Sequence, residues 1–223
     1  MLPYPGKLIT LEGLDGCGKS TQLELQARRL RSSGLRVTTT REPGGTPVGQ
    51  QIRDLVLHST AQLTPEAELA LLFAARAQHI EQVLLPALQA GEIVLCDRFT
   101  DSSFAYQGYG RGIPLEQIRT LEELFCRGVR PDLTLLLDLD PAAGLGRARS
   151  RNRSGQLATS RFEEEELAFF RRVREGYHQI ARREPERVQL LDASASIAVV
   201  EQCVRQRVDE FLERVRLGPS HGL

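Results

Sequence analysis

Residues 13 to 20 read GLDGCGKS, and Thr21 follows. The spacing is G-x-x-x-x-G-K-S. That pattern wraps backbone N–H groups around two phosphates, sends the lysine to the β/γ-phosphates and offers a hydroxyl to Mg²⁺. The chain has 29 basic side chains, and all but Lys7 and Lys19 are arginines. A planar guanidinium fork is too broad for a point charge tucked under a tight loop, so a lysine at position 19 argues against a chance turn. Cys17 sits inside the same stretch, next to an expected helix N-terminus, which predicts a thiol more reactive than the others.

Four further stretches could serve a second anionic ligand. Thr39 to Thr46, TTREPGGT, presents Arg41 on a rigid loop; the plainer reading is a proline–glycine turn with a surface arginine. Cys96-Asp97-Arg98-Phe99 closes a strand at the end where α/β proteins bind ligands. There Asp97 can hold Mg²⁺ and Arg98 can clamp a phosphate bidentately, or the two are a strand-end ion pair. Ser102 to Gly108, SSFAYQG, sets hydroxyls and an amide beside an aromatic ring, suited to a sugar or base, or is an ordinary polar helix start. Finally Arg147, Arg149, Arg151 and Arg153 alternate in GRARSRNRSG. Beside a nucleoside triphosphate they make a mobile lid that brings positive charge to a transferring phosphoryl group; otherwise they are a solvated basic loop.

Elements must hold these groups in place. Lys7–Glu12 reads as a buried strand ahead of the glycine loop, and Ser20–Leu30 as a helix ended by Gly34. Strand, glycine loop and helix together aim a helix N-terminus at an anion. Residues 35–40 form a second strand. Thr64-Pro65-Glu66 starts a long helix with an N-cap, an N1 proline and an acidic first turn, disturbed at Pro86 and ended at Gly91. Strands follow at 93–97, 133–139 and 188–191, with helices at 114–127, 161–184 and 197–215. Repeated βα alternation predicts a doubly wound, five-stranded parallel sheet of the P-loop NTPase type, with flanking helices and a short arginine-rich lid at about 147–160. The expectation is one domain over 1–223 with a frayed tail from 217.

Composition narrows the partners. Basic and acidic side chains both number 29, so there is no overall field for nucleic acid or a membrane surface. No apolar run is long enough to span a membrane, and MLPYPGKL lacks a signal-peptide core. The cysteines at 17, 96, 126 and 203 form no C-x-x-C pair and read as reduced thiols in a cytoplasm. The histidines are too dispersed for a metal-ligand spacing, and no structural metal is expected.

A phosphate loop fits a GTPase switch, an ATPase motor, a binding module or a small-molecule kinase. Asn152 is the only asparagine, so the guanine-reading N-K-x-D pattern is absent, which argues against a GTPase of the common kind. The loop GLDGCGKST, followed in order by TREPGGT, LLFAARAQH, DRFTDSSFAYQG, the arginine lid and RFEEEELAFFRRVREGY, resembles the thymidylate kinase family along nearly the whole chain. The resemblance implies transfer of a phosphoryl group from ATP to dTMP with Mg²⁺, in a homodimer.

The resemblance also implies roles. Gly13, Leu14, Asp15, Gly16, Cys17, Gly18, Lys19, Ser20 and Thr21 would cradle ATP, with Ser20 and Asp97 on Mg²⁺ and Arg147 near the adenine. Asp15 would hold the sugar 3′-hydroxyl, and Arg41 and Arg98 the dTMP phosphate. Arg76 would read the thymine edge with Ser102, Ser103 and Gln107, while either Leu72 or Phe73 covers the base. Tyr106 would crowd the 2′ side, and Tyr177 would close over the nucleotide. Gly16, where some members carry a basic residue, points to the arrangement whose catalytic arginines lie in the lid, here Arg149 and Arg151, acting with Lys19 and Arg98. The family often has a cis proline after the residue at position 42.

Overall fold

The computed structural model describes residues 4–153, 162 and 165–217. In chain order the elements are β1 (Lys7–Glu12), α1 (Lys19–Ser32), β2 (Val37–Arg41), α2 (Pro47–His58) and α3 (Pro65–His79), then a π-helical stretch Ile80–Leu84 leading into α4 (Leu85–Gln89). After them come β3 (Ile93–Asp97), α5 (Thr100–Ser103) continuing into a π-helical Phe104–Gly110, α6 (Leu115–Phe125), β4 (Leu133–Asp138), α7 (Pro141–Arg153), α8 (Leu167–Arg183), β5 (Val188–Asp192) and α9 (Ile197–Leu217). The strands form one sheet in the order β2-β3-β1-β4-β5, and every pairing is parallel. This is the fold class expected from the βα alternation.

Alternation along the central strands divides the core in two. Ile9 and Leu11 of β1 join Leu135 and Leu137 of β4 against Leu23, Ala27 and Leu30 of α1 and Val200, Val204 and Val208 of α9. Leu8 and Val94 face the other way, onto Leu69 and Phe73 of α3 and Ile118 of α6. Glu12, four residues beyond Leu8 along the strand, shares that second side and is fully buried. Leu11 and Arg41 both pair with Asp97, so the carboxyl ends of β1, β2 and β3 lie side by side.

Several expectations change, among them the helix expected from 161, which begins at Leu167 after the N-cap Glu166. Residues 47–58, which the sequence analysis assigns to no element, form a helix capped by Thr46 with Pro47 at its first position. The long helix from Thr64 is broken by a π turn just before Pro86, which lacks the N–H that would continue an α ladder. The first part of the lid, 147–153, belongs to a helix that begins at Pro141; residues 154–160 of the lid and 218–223 of the tail lie outside the described residues.

Candidate active site

The phosphate loop is fixed by contacts a side chain would forbid. A Cβ on Gly13 would meet the Leu137 carbonyl at 2.4 Å, and φ there is +133°, so β1 can pass into the loop against β4 only with glycine. Lys19 opens α1 and is buried. Its Nζ donates to the carbonyl oxygens of Gly13 (3.1 Å) and Leu14 (2.9 Å), lying across the loop. Ser20 Oγ donates to Asp97 Oδ2 at 2.9 Å, which brings the two expected metal ligands together. Cys17 departs from expectation: burial pushes its thiol pKa up, and this outweighs the opposing pull of Lys19 and Arg98. It is a buried thiol of the core.

A cleft of about 320 Å³ opens beside this loop, lined at one end by Asp15, Arg41, Arg53 and Arg98. Arg98 is a non-glycine residue at φ +73°, a conformation held only where surrounding contacts over-determine it. Those contacts are present: Nη2 donates to Asp15 Oδ1 (2.7 Å) and Tyr106 Oη (3.2 Å), and Nη1 to Ser102 Oγ and Tyr177 Oη, both at 3.1 Å. Behind them lies Glu12, which accepts from the Phe99 N–H (2.7 Å), Ser102 Oγ (2.6 Å) and Tyr177 Oη (2.7 Å). Burial, then the nearby Asp101 carboxylate, pushes its pKa up to about 7. Asp101 is itself tied to Arg187 by two bonds of 2.7 and 2.9 Å, which fixes the start of α5 to the end of the sheet.

Tyr177 was expected over the nucleotide. It is 2% exposed, with its hydroxyl spent on Glu12 and Arg98, and it does not line the cleft; it braces Arg98 from behind. Arg53 was missed altogether. It lies on α2, lines the cleft and donates to the Pro43 carbonyl at 2.9 Å. Its pKa is lowered by burial and then by repulsion from Arg41 and Arg98, the signature of cations gathered where an anion belongs. The Thr46-Pro47 pair marks the start of α2 as plainly as Thr64-Pro65 marks α3, and would have disclosed Arg53.

The other end of the cleft is neutral in sum. Arg76 is 3% exposed and donates through Nε to Glu42 Oε2 (2.7 Å), through Nη1 to Ser103 Oγ (3.1 Å) and through Nη2 to the Phe99 carbonyl (3.2 Å). Glu42 also binds His79 Nδ1 at 2.9 Å, and His79 Nε2 meets Thr40 Oγ1 at 2.6 Å. A Cβ on Gly45 would strike the His79 ring at 2.6 Å, at φ +77°. TREPGGT and AARAQH are therefore two halves of one packed unit, and the Glu42–Pro43 bond inside it is cis, as expected. Leu72 lines the cleft, whereas Phe73 is fully buried behind the Arg76 guanidinium, 4.6 Å from its ring centroid. Ser102, Ser103, Tyr106 and Gln107 complete the wall.

The donor side is simpler. Gly144 of α7 approaches the Asp15 carbonyl so closely that a Cβ would lie 2.8 Å away. Arg147 donates to the carbonyl oxygens of Ala193 (3.2 Å) and Ser194 (3.5 Å), bridging α7 to the end of β5.

With that geometry in place, known proteins can be compared. The sequence model of the family described as thymidylate kinase matches residues 11–204. The chain belongs to the thymidylate kinase family. The thymidylate kinase of Pseudomonas putida (strain GB-1) is 50% identical over 212 residues, covering 95% of this chain and 99% of that one. That of Methylococcus capsulatus is 50% identical over 208 residues, covering 93% and 97%. Among solved structures, thymidylate kinase from Ehrlichia chaffeensis superimposes with a TM-score of 0.74 at 33% identity, over 92% of this chain and 98% of that one. The five-stranded sheet with its flanking helices is the thymidylate kinase fold.

Proposed function

We propose that the chain, acting as one nucleoside monophosphate kinase domain, transfers a phosphoryl group from ATP to dTMP, giving ADP and dTDP. One observation carries the reading. A single cleft beside a phosphate loop has three convergent arginines at one end and, at the other, a locked arginine with an amide. An anionic head and a hydrogen-bonding planar base fit those two ends.

The roles follow from position and charge. The loop from Gly13 to Thr21 would hold the donor phosphates through its N–H groups, and Lys19 would exchange its carbonyl contacts for phosphate oxygens. Arg41, Arg53 and Arg98 would bind the acceptor phosphate. Arg98, anchored by Asp15, Ser102, Tyr106 and Tyr177, would hold it facing the γ-phosphorus and neutralise charge as the acceptor oxygen attacks. Asp15, beside Arg98, is suited to the sugar 3′-hydroxyl. Tyr106, its hydroxyl bonded to Arg98, would stand against a 2′-hydroxyl, and Leu72 would cover the base. Since Gly16 adds no charge to the loop, Arg149 and Arg151 of the lid would supply the remaining positive charge, with Arg147 toward the adenine. Ser20 and Asp97, hard oxygen donors joined at 2.9 Å, fit Mg²⁺ with phosphate oxygens and water completing its shell. Bound there, Mg²⁺ would offset the charge of the β- and γ-phosphates.

We infer a homodimer as well, supported by exposed Val48 and Leu55 on α2, and a cytoplasmic setting. Among the described residues no helix is long and apolar enough to cross a membrane. An ADP-release assay with dTMP, dUMP, UMP, AMP and thymidine tests the reaction. The highest kcat/KM should be for dTMP, with thymidine inert because it lacks the anion. Absence of turnover with dTMP, or faster turnover of AMP or UMP, would overturn the assignment.

A further inference from the structure

Glu68 of α3 is a carboxylate only 1% exposed, and it belongs to none of the motifs discussed above. Gln107 Nε2 donates to its Oε1 at 2.8 Å. Arg111 grips both oxygens, through Nε to Oε1 (3.4 Å) and Nη2 to Oε2 (3.2 Å). The Arg111 guanidinium lies 4.8 Å from the Phe169 ring centroid and also pairs with Glu165. This supplies the counter-charge without which a buried carboxylate is very costly.

A carboxylate can only accept hydrogen bonds, so the end of the Gln107 amide that faces Glu68 must be the nitrogen. An unconstrained glutamine amide can present either end; this one cannot. Its oxygen is the end left for the cleft, which Gln107 lines together with Arg76. Arg76 has three of its five N–H groups taken, by Glu42, Ser103 and the Phe99 carbonyl. The base end therefore offers donors from Arg76 beside an acceptor from Gln107. A pyrimidine with a carbonyl at C4 and a hydrogen on N3 matches that order. Cytosine, with an amino group at C4 and an acceptor at N3, mismatches both.

We propose that Glu68 is a specificity-determining positioning residue: by fixing the Gln107 amide through its nitrogen, it commits the cleft to pyrimidines that carry an N3–H and excludes cytosine. The inference rests on the reading of this cleft as the dTMP site. The experiment compares kcat/KM for dTMP, dUMP and dCMP in the full chain and in Glu68→Gln, whose side chain has nearly the same shape but can both donate and accept. The dTMP:dCMP ratio should fall by at least about tenfold, because the Gln107 amide is free to turn its NH₂ toward N3. The dTMP:dUMP ratio should stay within about twofold, since the two bases share the same polar edge. An unmoved dTMP:dCMP ratio overturns the inference, as does an equal shift of both ratios, which would mean a distorted pocket. If thermal unfolding shows that Glu68→Gln does not fold, Glu68→Asp keeps the charge with shorter reach. It should lower the same ratio by a smaller factor, and no change there also overturns the inference. A parent chain inactive on dTMP removes both this inference and the proposed function, whereas an active parent with an unmoved ratio removes this inference alone.

Discussion

The two ends of the cleft handle charge in opposite ways. At the base end every cation has a buried counter-ion: Arg76 is matched by Glu42 and Arg111 by Glu68. What remains toward a ligand is a pattern of donors and acceptors, rigid because each group is held from several sides. At the phosphate end Arg41, Arg53 and Arg98 converge with Asp15 as the one ion-pair partner of Arg98 among the described residues, and burial, then that crowding, lowers the pKa of Arg53. A base is told from its analogues by hydrogen-bond order, so its site must be neutral and fixed. A phosphate is held by net charge, so its site must keep charge in excess. One cleft achieves both because Arg76 is matched directly by a buried carboxylate, while three arginines converge at the other end and only Arg98 of them is ion-paired there among the described residues.

The comparison can be broken most directly at Arg98. Arg98→Ala should cut kcat by at least about 10²-fold, because the group touches transferring charge as well as bound charge. A variant near normal turnover would mean that the phosphate end is merely a binding patch.

Second, the buried acid behind that end should leave a trace in stability. Glu12 has a folded-state pKa raised to about 7, so the folded protein holds a proton that the unfolded chain releases near an ordinary carboxylate pKa. Folding stability should then be highest below the ordinary value, decline between the two pKa values, and level off above about pH 7. The total from this group is at most about 3 kcal/mol. Urea titrations of the parent and of Glu12→Gln from pH 4.5 to 8 check this, and the slope over that window should be shallower in the variant.

At the base end, Arg76→Ala removes a fixed donor. It should raise the dTMP KM by the equivalent of about 1–3 kcal/mol while leaving the ATP KM nearly unchanged. Equal losses for both substrates would point to collapse of the Glu42–His79 unit. Arg53→Gln should have a smaller effect, roughly a tenfold rise in dTMP KM with selectivity among bases intact, because it touches charge alone. The smallest effect is expected at the loop thiol. Limited alkylation should modify exposed Cys203 before buried Cys17 and leave activity intact, and rapid inactivation by labelling of Cys17 would contradict its raised pKa.

Much of this arrangement was legible in the residues alone, and the exceptions have physical causes. The strands announce themselves as short apolar runs, since a parallel sheet covered on both faces needs apolar side chains all along it. The phosphate loop, Arg41 and Arg98 lie in motifs at strand ends and turns, whereas Arg76, within α3, is placed by the family resemblance. Helix α2 was overlooked because Gly49, Gln50 and Gln51 dilute its apolar stripe, and Arg53 went with it. Cys17 misled because a helix N-terminus argues for a thiolate, while tertiary burial, invisible in spacing, argues harder the other way. Leu72 and Phe73 could not be separated by helical periodicity; only the position of the Arg76 guanidinium decides which faces the cleft. Glu12, Glu42 and Glu68 carry no local signal, because a buried carboxylate is recognisable only by the partners that long-range folding brings to it.

The close approach of Gly144 to the Asp15 carbonyl has a thermodynamic consequence. The helix that leads into the lid rests on the backbone of the very residue that ion-pairs with Arg98. On the proposed assignment, a displacement of the phosphate loop by one nucleotide should be felt at the start of α7 and at Arg98, placed there against the other nucleotide. The expected outcome is that the two affinities are coupled. On the proposed placement of the two nucleotides, whatever factor ATP contributes to dTMP binding, dTMP must return to ATP.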